Sequence, residues 1–277
     1  MEFNKWTVEL EKKDDDMIYR PIGDVHAGNM GFDKDEFEKT IKGVESDPLC
    51  YTMGMGDYID NIQAWANGGI DKRWNPETVE RDRMTTEEQV DYFVEWWAKV
   101  AHKSGGMHSG NHEWKTINQR RFIKDFCHPN NPKDLGKVLY NQKYLGRLSL
   151  TLLTIKYKKK TLREFQILSL HGGFAGMRQG GTMNRLEDIA SSFEGLDVAL
   201  MGHTHRTWVA TTTVLGYSKF HNKTYERKII LGNTGTFLKS YTKGIDSYIE
   251  ANPRRATRVG TISITFNAEA GKLYGHD

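Results

Sequence analysis

The apolar residues of the chain fall into short runs that repeatedly end on glycine followed by a polar residue. Residues 17–22 predict a strand ending in Gly23-Asp24, and residues 49–55 a second ending in Gly56-Asp57. Between them, 33–44 carries Phe37, Ile41 and Val44 at helical spacing. Asp33 is a candidate N-cap there, with Glu36 three residues on as in a capping box. Strand, helix, strand is the grammar of a parallel βαβ unit. Residues 78–102 predict one long helix or two, with Val90, Phe93, Val94, Trp97 and Val100 or Ala101 on one stripe. Further strands are predicted at 105–109, 148–157, 162–170, 198–201, 208–214, 228–231 and 261–266. The pair at 148–157 and 162–170 alternates around Lys158-Lys159-Lys160 and predicts a hairpin. The first half is thus βαβ and the second richer in strands, as in one domain with two sheets packed face to face between helices.

Composition narrows the class. The chain has 277 residues, 38% hydrophobic and 27% charged, which suits one large α/β domain over 1–277 that needs no disulfide staples. Its two cysteines, Cys50 and Cys127, have no CxxC-type neighbour. That argues against a zinc knuckle or redox pair and fits a reducing, cytoplasmic setting. The polar start, with Asp14-Asp15-Asp16, lacks the apolar stretch of a signal peptide, and no run of 18 apolar residues occurs. No membrane partner is expected. The net charge of +3 is too mild to argue nucleic-acid binding by itself. Two local basic clusters, Lys156 with Lys158-Lys159-Lys160, and Arg254, Arg255 and Arg258, are either solvated tips or a track for a polyanion.

The metal-ligand residue types sit at the ends of the predicted runs. Asp24 and His26 lie in Gly-Asp-Val-His, Asp57 in Gly-Asp-Tyr-Ile-Asp, Asn111 and His112 in Gly-Asn-His-Glu, His171 in Leu-His-Gly-Gly, and His203 and His205 in Gly-His-Thr-His. Polar residues just past the carboxyl ends of parallel strands are where α/β folds place ligand sites. Asp24 and His26 are two residues apart, so an extended segment points them the same way, and His203 and His205 repeat the spacing. Nitrogen and oxygen donors without thiolate favour manganese, iron or zinc in a non-structural site. Two carboxylates, four histidines and an amide are too many for one ion with an open position, and suit two divalent ions about 3.5–4 Å apart with one carboxylate bridging. Singly, each element is weak, since a lone buried histidine is more often a satisfied core residue. Five in order are not.

These blocks resemble the calcineurin-like metallophosphoesterase superfamily, whose pattern runs DxH, GDxxD, GNH(D/E), H and GHxH. The match spans Asp24 to His205, and Gly232-Asn233-Thr234-Gly235-Thr236 resembles the family's closing strand and loop. The resemblance implies a four-layer α/β/β/α sandwich. By motif position it implies Asp24, His26 and His205 at a first metal, Asn111, His171 and His203 at a second, and Asp57 bridging them. It implies His112 at the phosphate as acid or electrostatic stabiliser, with a metal-bridging hydroxide as nucleophile. Asp60 closes its block as either a hydrogen-bond partner of His112 or a loop cap. Glu113 is expected to support rather than react.

The substrate is less legible. The second block continues Asp60-Asn61-Ile62, not with the Arg-Gly of the Ser/Thr protein phosphatase branch, so that branch's bidentate phosphate clamp is missing. Gly-His-Thr-His resembles the phosphodiesterase and nuclease branches. A phosphodiesterase acting on DNA, RNA or a nucleotide is therefore expected. A phosphomonoesterase or protein phosphatase is the alternative, and a catalytically silent metal-binding scaffold a third. Substrate selection is expected in a helical insert at about 62–103, carrying Trp65, Arg73, Trp74, Arg81, Arg83, Trp96 and Trp97. A glycine-rich lid at 172–181 is expected to carry Arg178 as a phosphate contact.

Overall fold

The computed structural model describes residues 1–61, 65–66, 69–70, 85–113, 142–173, 178–244 and 255–277. The predicted βαβ unit forms: β2 (Asp16–Ile22) and β3 (Cys50–Gly54) pair in parallel, from Ile18 with Cys50 to Ile22 with Gly54. Between them runs α1 (Lys34–Ser46). The Asp33 side chain accepts from the Glu36 amide at 3.2 Å, and Phe37, Thr40, Ile41 and Val44 are buried. β6 (Ser104–Met107) continues this sheet in parallel beyond β3. β12 (Ser263–Asn267) and β13 (Lys272–His276) extend it antiparallel on the other side, giving the order β13-β12-β2-β3-β6.

The other sheet has six strands. β1 (Glu2–Leu10) pairs in parallel with β7 (Leu148–Tyr157), which forms the predicted hairpin with β8 (Lys160–Leu170). Lys158 and Lys159 form the two-residue turn with positive φ (50° and 64°), the handedness that matches strand twist in tight hairpins. β9 (Val198–Met201) follows in parallel, then β11 (Lys223–Thr234), with β10 (Thr207–Ser218) antiparallel at the edge. Both sheets are mixed.

Three apolar layers hold this together. Trp6, Val8 and Leu10 of β1, with Leu153, Phe165 and Ile230, meet Tyr19, Met53, Ile264 and Phe266 of the five-stranded sheet. The outer face of the five-stranded sheet is covered by α1 and by α2 (Thr86–Ala98), through Phe37, Ile41, Val44, Phe93 and Trp97. The outer face of the six-stranded sheet is covered by α3 (Gln179–Ser191), where Leu186 and Ala190 meet Leu168, Trp208 and Leu231. The result is a mixed α/β sandwich. At roughly 1.5–3 kcal/mol per fully buried large apolar side chain, these layers supply the main driving force.

Several elements differ from expectation. β1 and β13 were not predicted. Helix α2 starts later than residue 78, because Thr85 and Glu88 form a reciprocal capping box that fixes its first turn at Thr86. Residues 78–84, and the side chains of Trp65, Arg73, Trp74, Arg81 and Arg83, lie outside the described residues, as do Cys127 and Arg254. The rest of the expected helical insert holds a short ribbon, β4 (Trp65–Ala66) with β5 (Gly69–Ile70). Gly180 and Gly181, expected in a lid, belong to the first turn of α3. Trp97 is core, stacked on Phe93. Trp96 is also buried, with the Lys99 ammonium 3.6 Å from its ring centre, so neither ring is a free stacking platform. No helix among the described residues is long and apolar enough to cross a membrane.

Candidate metal centre

Each ligand-type residue follows a strand. Asp24 follows β2, Asp57 follows β3, Asn111 follows β6, His171 follows β8 and His203 follows β9. The carboxyl ends of strands from both sheets therefore open onto one volume. The loops are laced together: the Asp24 amide donates to Gly56 O and the Val25 amide to Asp57 O, both at 2.8 Å. The expectation that Asp24 and His26 sit on an extended segment is corrected. Asp24, His26, Asp57, His203 and His205 all have positive φ, between 49° and 69°. Left-handed backbone is rare for residues with a Cβ, though less so for Asp and His, and collects at functional sites. Here it turns alternate side chains inward from tight loops. Gly110 permits the closest approach, since a Cβ there would lie 2.1 Å from Asp57 Oδ1.

The side chains converge as two sets. In the first, Asp24, His26 and His205 bring their donor atoms within 4.8 Å of one another. His26 Nε2 is 3.1 Å from His205 Nε2, which is 3.3 Å from Asp24 Oδ1. In the second, Asp57, His171 and His203 do the same, and Asn111 Oδ1 stands 3.1 Å from His171 Nε2. Asp57 belongs to both neighbourhoods: its Oδ2 is 3.2 Å from His171 Nε2 and 3.9 Å from His26 Nε2.

Supporting contacts fix which nitrogen faces inward. His171 Nδ1 donates to the Met55 carbonyl at 2.8 Å. His26 Nδ1 pairs with Asp60 Oδ1 at 3.1 Å, while Asp60 Oδ2 accepts from Asn29 Nδ2 at 3.2 Å. In neutral rings this leaves the Nε2 lone pairs pointing into the shared volume, the usual arrangement of metal-bound histidine. Asp24 Oδ1 and His203 Nδ1 are buried without a hydrogen bond. Buried polar atoms without partners cost about 1–3 kcal/mol each, and a cation at either set would satisfy them. These buried His/Asp groups could therefore hold metal ions, and their donor chemistry fits a divalent cation.

Electrostatics agree with that geometry. Burial opposes ionisation of Asp24 and Asp57, yet the surrounding histidines, His205 and His171 foremost, hold both carboxyls below the ordinary range, Asp57 well below. Burial likewise opposes protonation of His171, but Asp57, Asp24 and Glu113 overcome it and lift the ring to about 10. His203 is lowered, by burial and by the neighbouring His171. Without a cation the site's negative charge is balanced by protons on imidazole.

His112 lies at the rim, with Nε2 4.0 Å from Asp57 Oδ2, and its ring meets that of His26 edge-on at 4.5 Å. Its Nδ1 donates to the backbone carbonyl of Asp60, whose carboxylate is 3.7 Å away. The expected Asp60–His112 partnership thus runs through the main chain, and the carboxylate serves His26. Asn61 is fully buried, its side chain donating to the His112 carbonyl at 2.8 Å. Glu113 accepts from the amides of Asp57 (3.0 Å), Tyr58 (2.7 Å) and Gly110 (2.8 Å), tying the second block to the third. Burial and the nearby Asp57 push its carboxyl up to about 7. Arg178 is exposed at the N-cap of α3, and no contact joins it to either set among the described residues.

Sequence reasoning missed a network beneath the site. His108 is buried, with Nδ1 3.1 Å from Gly146 O and Nε2 2.8 Å from Ser169 Oγ, and Ser169 is 3.1 Å from Ser149 Oγ. Burial pushes the His108 ring down to about 3, so it is neutral. It joins the loop bearing Asn111 to the strand bearing His171. Its one signal was its place three residues before Asn111.

No protein-family model matches the chain, and no curated protein matches it.

Proposed function

We propose that this chain is a dinuclear-metal phosphoester hydrolase of the calcineurin-like metallophosphoesterase type, acting on a phosphodiester of DNA, RNA or a nucleotide. The observation that carries the reading is Asp57. One carboxylate oxygen lies within 4 Å of an imidazole from each of two separate N/O donor sets, as a carboxylate shared between two cations must. The order of the five sequence blocks and the α/β/β/α layering support it.

In this reading Asp24, His26 and His205 hold one divalent ion, Asn111, His171 and His203 the other, and Asp57 both. Manganese is the favoured ion, with iron or zinc as alternatives. When bound, such a pair offsets phosphate charge and makes hydroxide available near neutral pH. The protein's own work is positioning. Asp60 and Met55 O fix the His26 and His171 rings, and Glu113 fixes the Asp57 loop. His112, its Nδ1 proton committed to Asp60 O, presents Nε2 toward the volume where the phosphoester would sit and donates a proton to the leaving oxygen, an effect of about 10²–10⁴-fold.

Asn61 favours the diester. The position where a phosphatase-like arginine would clamp a terminal phosphate is a fully buried amide engaged with the His112 main chain. The test is hydrolysis of bis-p-nitrophenyl phosphate against p-nitrophenyl phosphate with added manganese, using wild type, His112→Ala and Asp57→Asn. Faster diester cleavage that both substitutions abolish is expected. Monoester preference would move the assignment to a phosphomonoesterase. Turnover untouched by either substitution would overturn it.

A further inference from the structure

The four sheet edges are not alike. β6 has four residues and β13 five, while β1 carries Glu2, Lys5 and Glu9. Short length and charge are the usual protections against edge-to-edge pairing. β10 has neither. It runs twelve residues, Thr207–Ser218, with no charged residue and no proline, and keeps unbroken register with β11 along its whole length. Among the described residues no backbone hydrogen bond reaches its outer edge. Its distal half is apolar and uncovered: Leu215 is 70% exposed, Val214 and Tyr217 are exposed, and Phe220 in the adjoining turn is 91% exposed.

We infer that two copies of this chain pair through β10, antiparallel and edge to edge, joining their six-stranded sheets into one. An open strand edge offers alternating amides and carbonyls, so its natural partner is another strand. A second β10 fits best, for two reasons. A two-fold axis perpendicular to the sheet reverses the strand onto its own copy, so each hydrogen bond is made twice and the contact closes without growing a filament. With no charge along β10, self-apposition brings no like charges together, whereas an acidic or basic partner strand would gain nothing from it. The same axis keeps each face of the sheet continuous across the junction, so odd-numbered residues meet odd. Around an axis at Thr213 near the strand centre, Leu215 meets Thr211 and Tyr217 meets Val209, covering the two exposed side chains. β9 spans only the Ile230–Asn233 end of β11, so the distal arm of the hairpin is free to meet its copy.

The test is the solution mass of the full chain by light scattering at tens of micromolar, a readout independent of any activity. Twice the chain mass is expected for wild type, and the single mass for the double variant Leu215→Lys, Tyr217→Lys, both at exposed positions. Circular dichroism checks that the variant is folded. Should it not be, Thr211→Lys with Thr213→Lys, also exposed, carries the same expectation. A wild-type protein of single mass would overturn the proposal, as would a folded lysine variant that keeps the doubled mass.

Discussion

His26 Nε2 and His205 Nε2 face each other at 3.1 Å across 179 residues of sequence. Asp60 occupies the far nitrogen of the His26 ring. Two imidazole lone pairs do not approach so closely unless a proton or cation lies between them, so the contact measures how far the chain is shaped around something positive. Removal of metal is therefore expected to destabilise the protein, and manganese to restore it. A single site at 100 times its Kd contributes about 2.7 kcal/mol, several degrees of Tm in a domain of this size. Thermal melts in chelator and in manganese measure this; identical melts would remove the metal-centre assignment.

Asp60→Asn separates two roles. The carboxylate contacts His26 directly and reaches His112 only through its backbone carbonyl, which the substitution keeps. Metal affinity is expected to fall about 10–100-fold, as for other partners of ligating histidines. Activity at saturating manganese should largely recover. Isothermal titration beside a manganese-dependent rate curve distinguishes this from loss of an acid, which no amount of metal would rescue.

Metal binding should release a proton. His171 is lifted to about 10 by Asp57 and Asp24 against the opposing effect of burial, so the metal-free site holds a proton there at neutral pH. Its raised value stabilises the metal-free fold fully below the ordinary histidine range near 6.5, and that stabilisation fades as pH rises through about 10. Bound metal must displace the proton, so apparent affinity should rise with pH across that window, by up to about tenfold per unit for one proton. Titrations from pH 6.5 to 8.5 check it, and a flat affinity would contradict the electrostatics described above.

Glu113→Ala leaves three buried amides without their acceptor. At about 1–3 kcal/mol each, not fully additive, a loss of roughly 3–5 kcal/mol is expected by denaturant titration. The Asp57 loop should loosen with it. A change below about 1 kcal/mol would mean that water replaces the carboxylate.

The site was more legible than the frame around it. Asp24, Asp57, Asn111, His171 and His203 could be placed because short apolar runs ending on glycine mark strand ends. Strand β1 was hidden because its inward positions include Asn4, which donates to Gly105 O, so its alternation reads as polar. Helix α3 was hidden by its first-turn glycines, which propensity assigns to loops. Nothing in the residues announced that β10 and β11 run on to Ser218 and from Lys223, because exposed threonines alternate with nothing. The partners that orient the ligands were partly invisible for a different reason: Met55 O and Asp60 O are main-chain atoms, which no side-chain pattern records.

The positive φ angles at Asp24, His26, Asp57, His203 and His205 have an evolutionary corollary. Glycine would relax each of these backbones, while every such replacement deletes a ligand. A directed-evolution campaign scored only on heat resistance in chelator should accumulate glycine at these positions, and its winners would be sturdier and empty. The pocket survives in a lineage only where something tests it for occupancy, so its retention in full is a record of selection for a bound ion rather than for the fold.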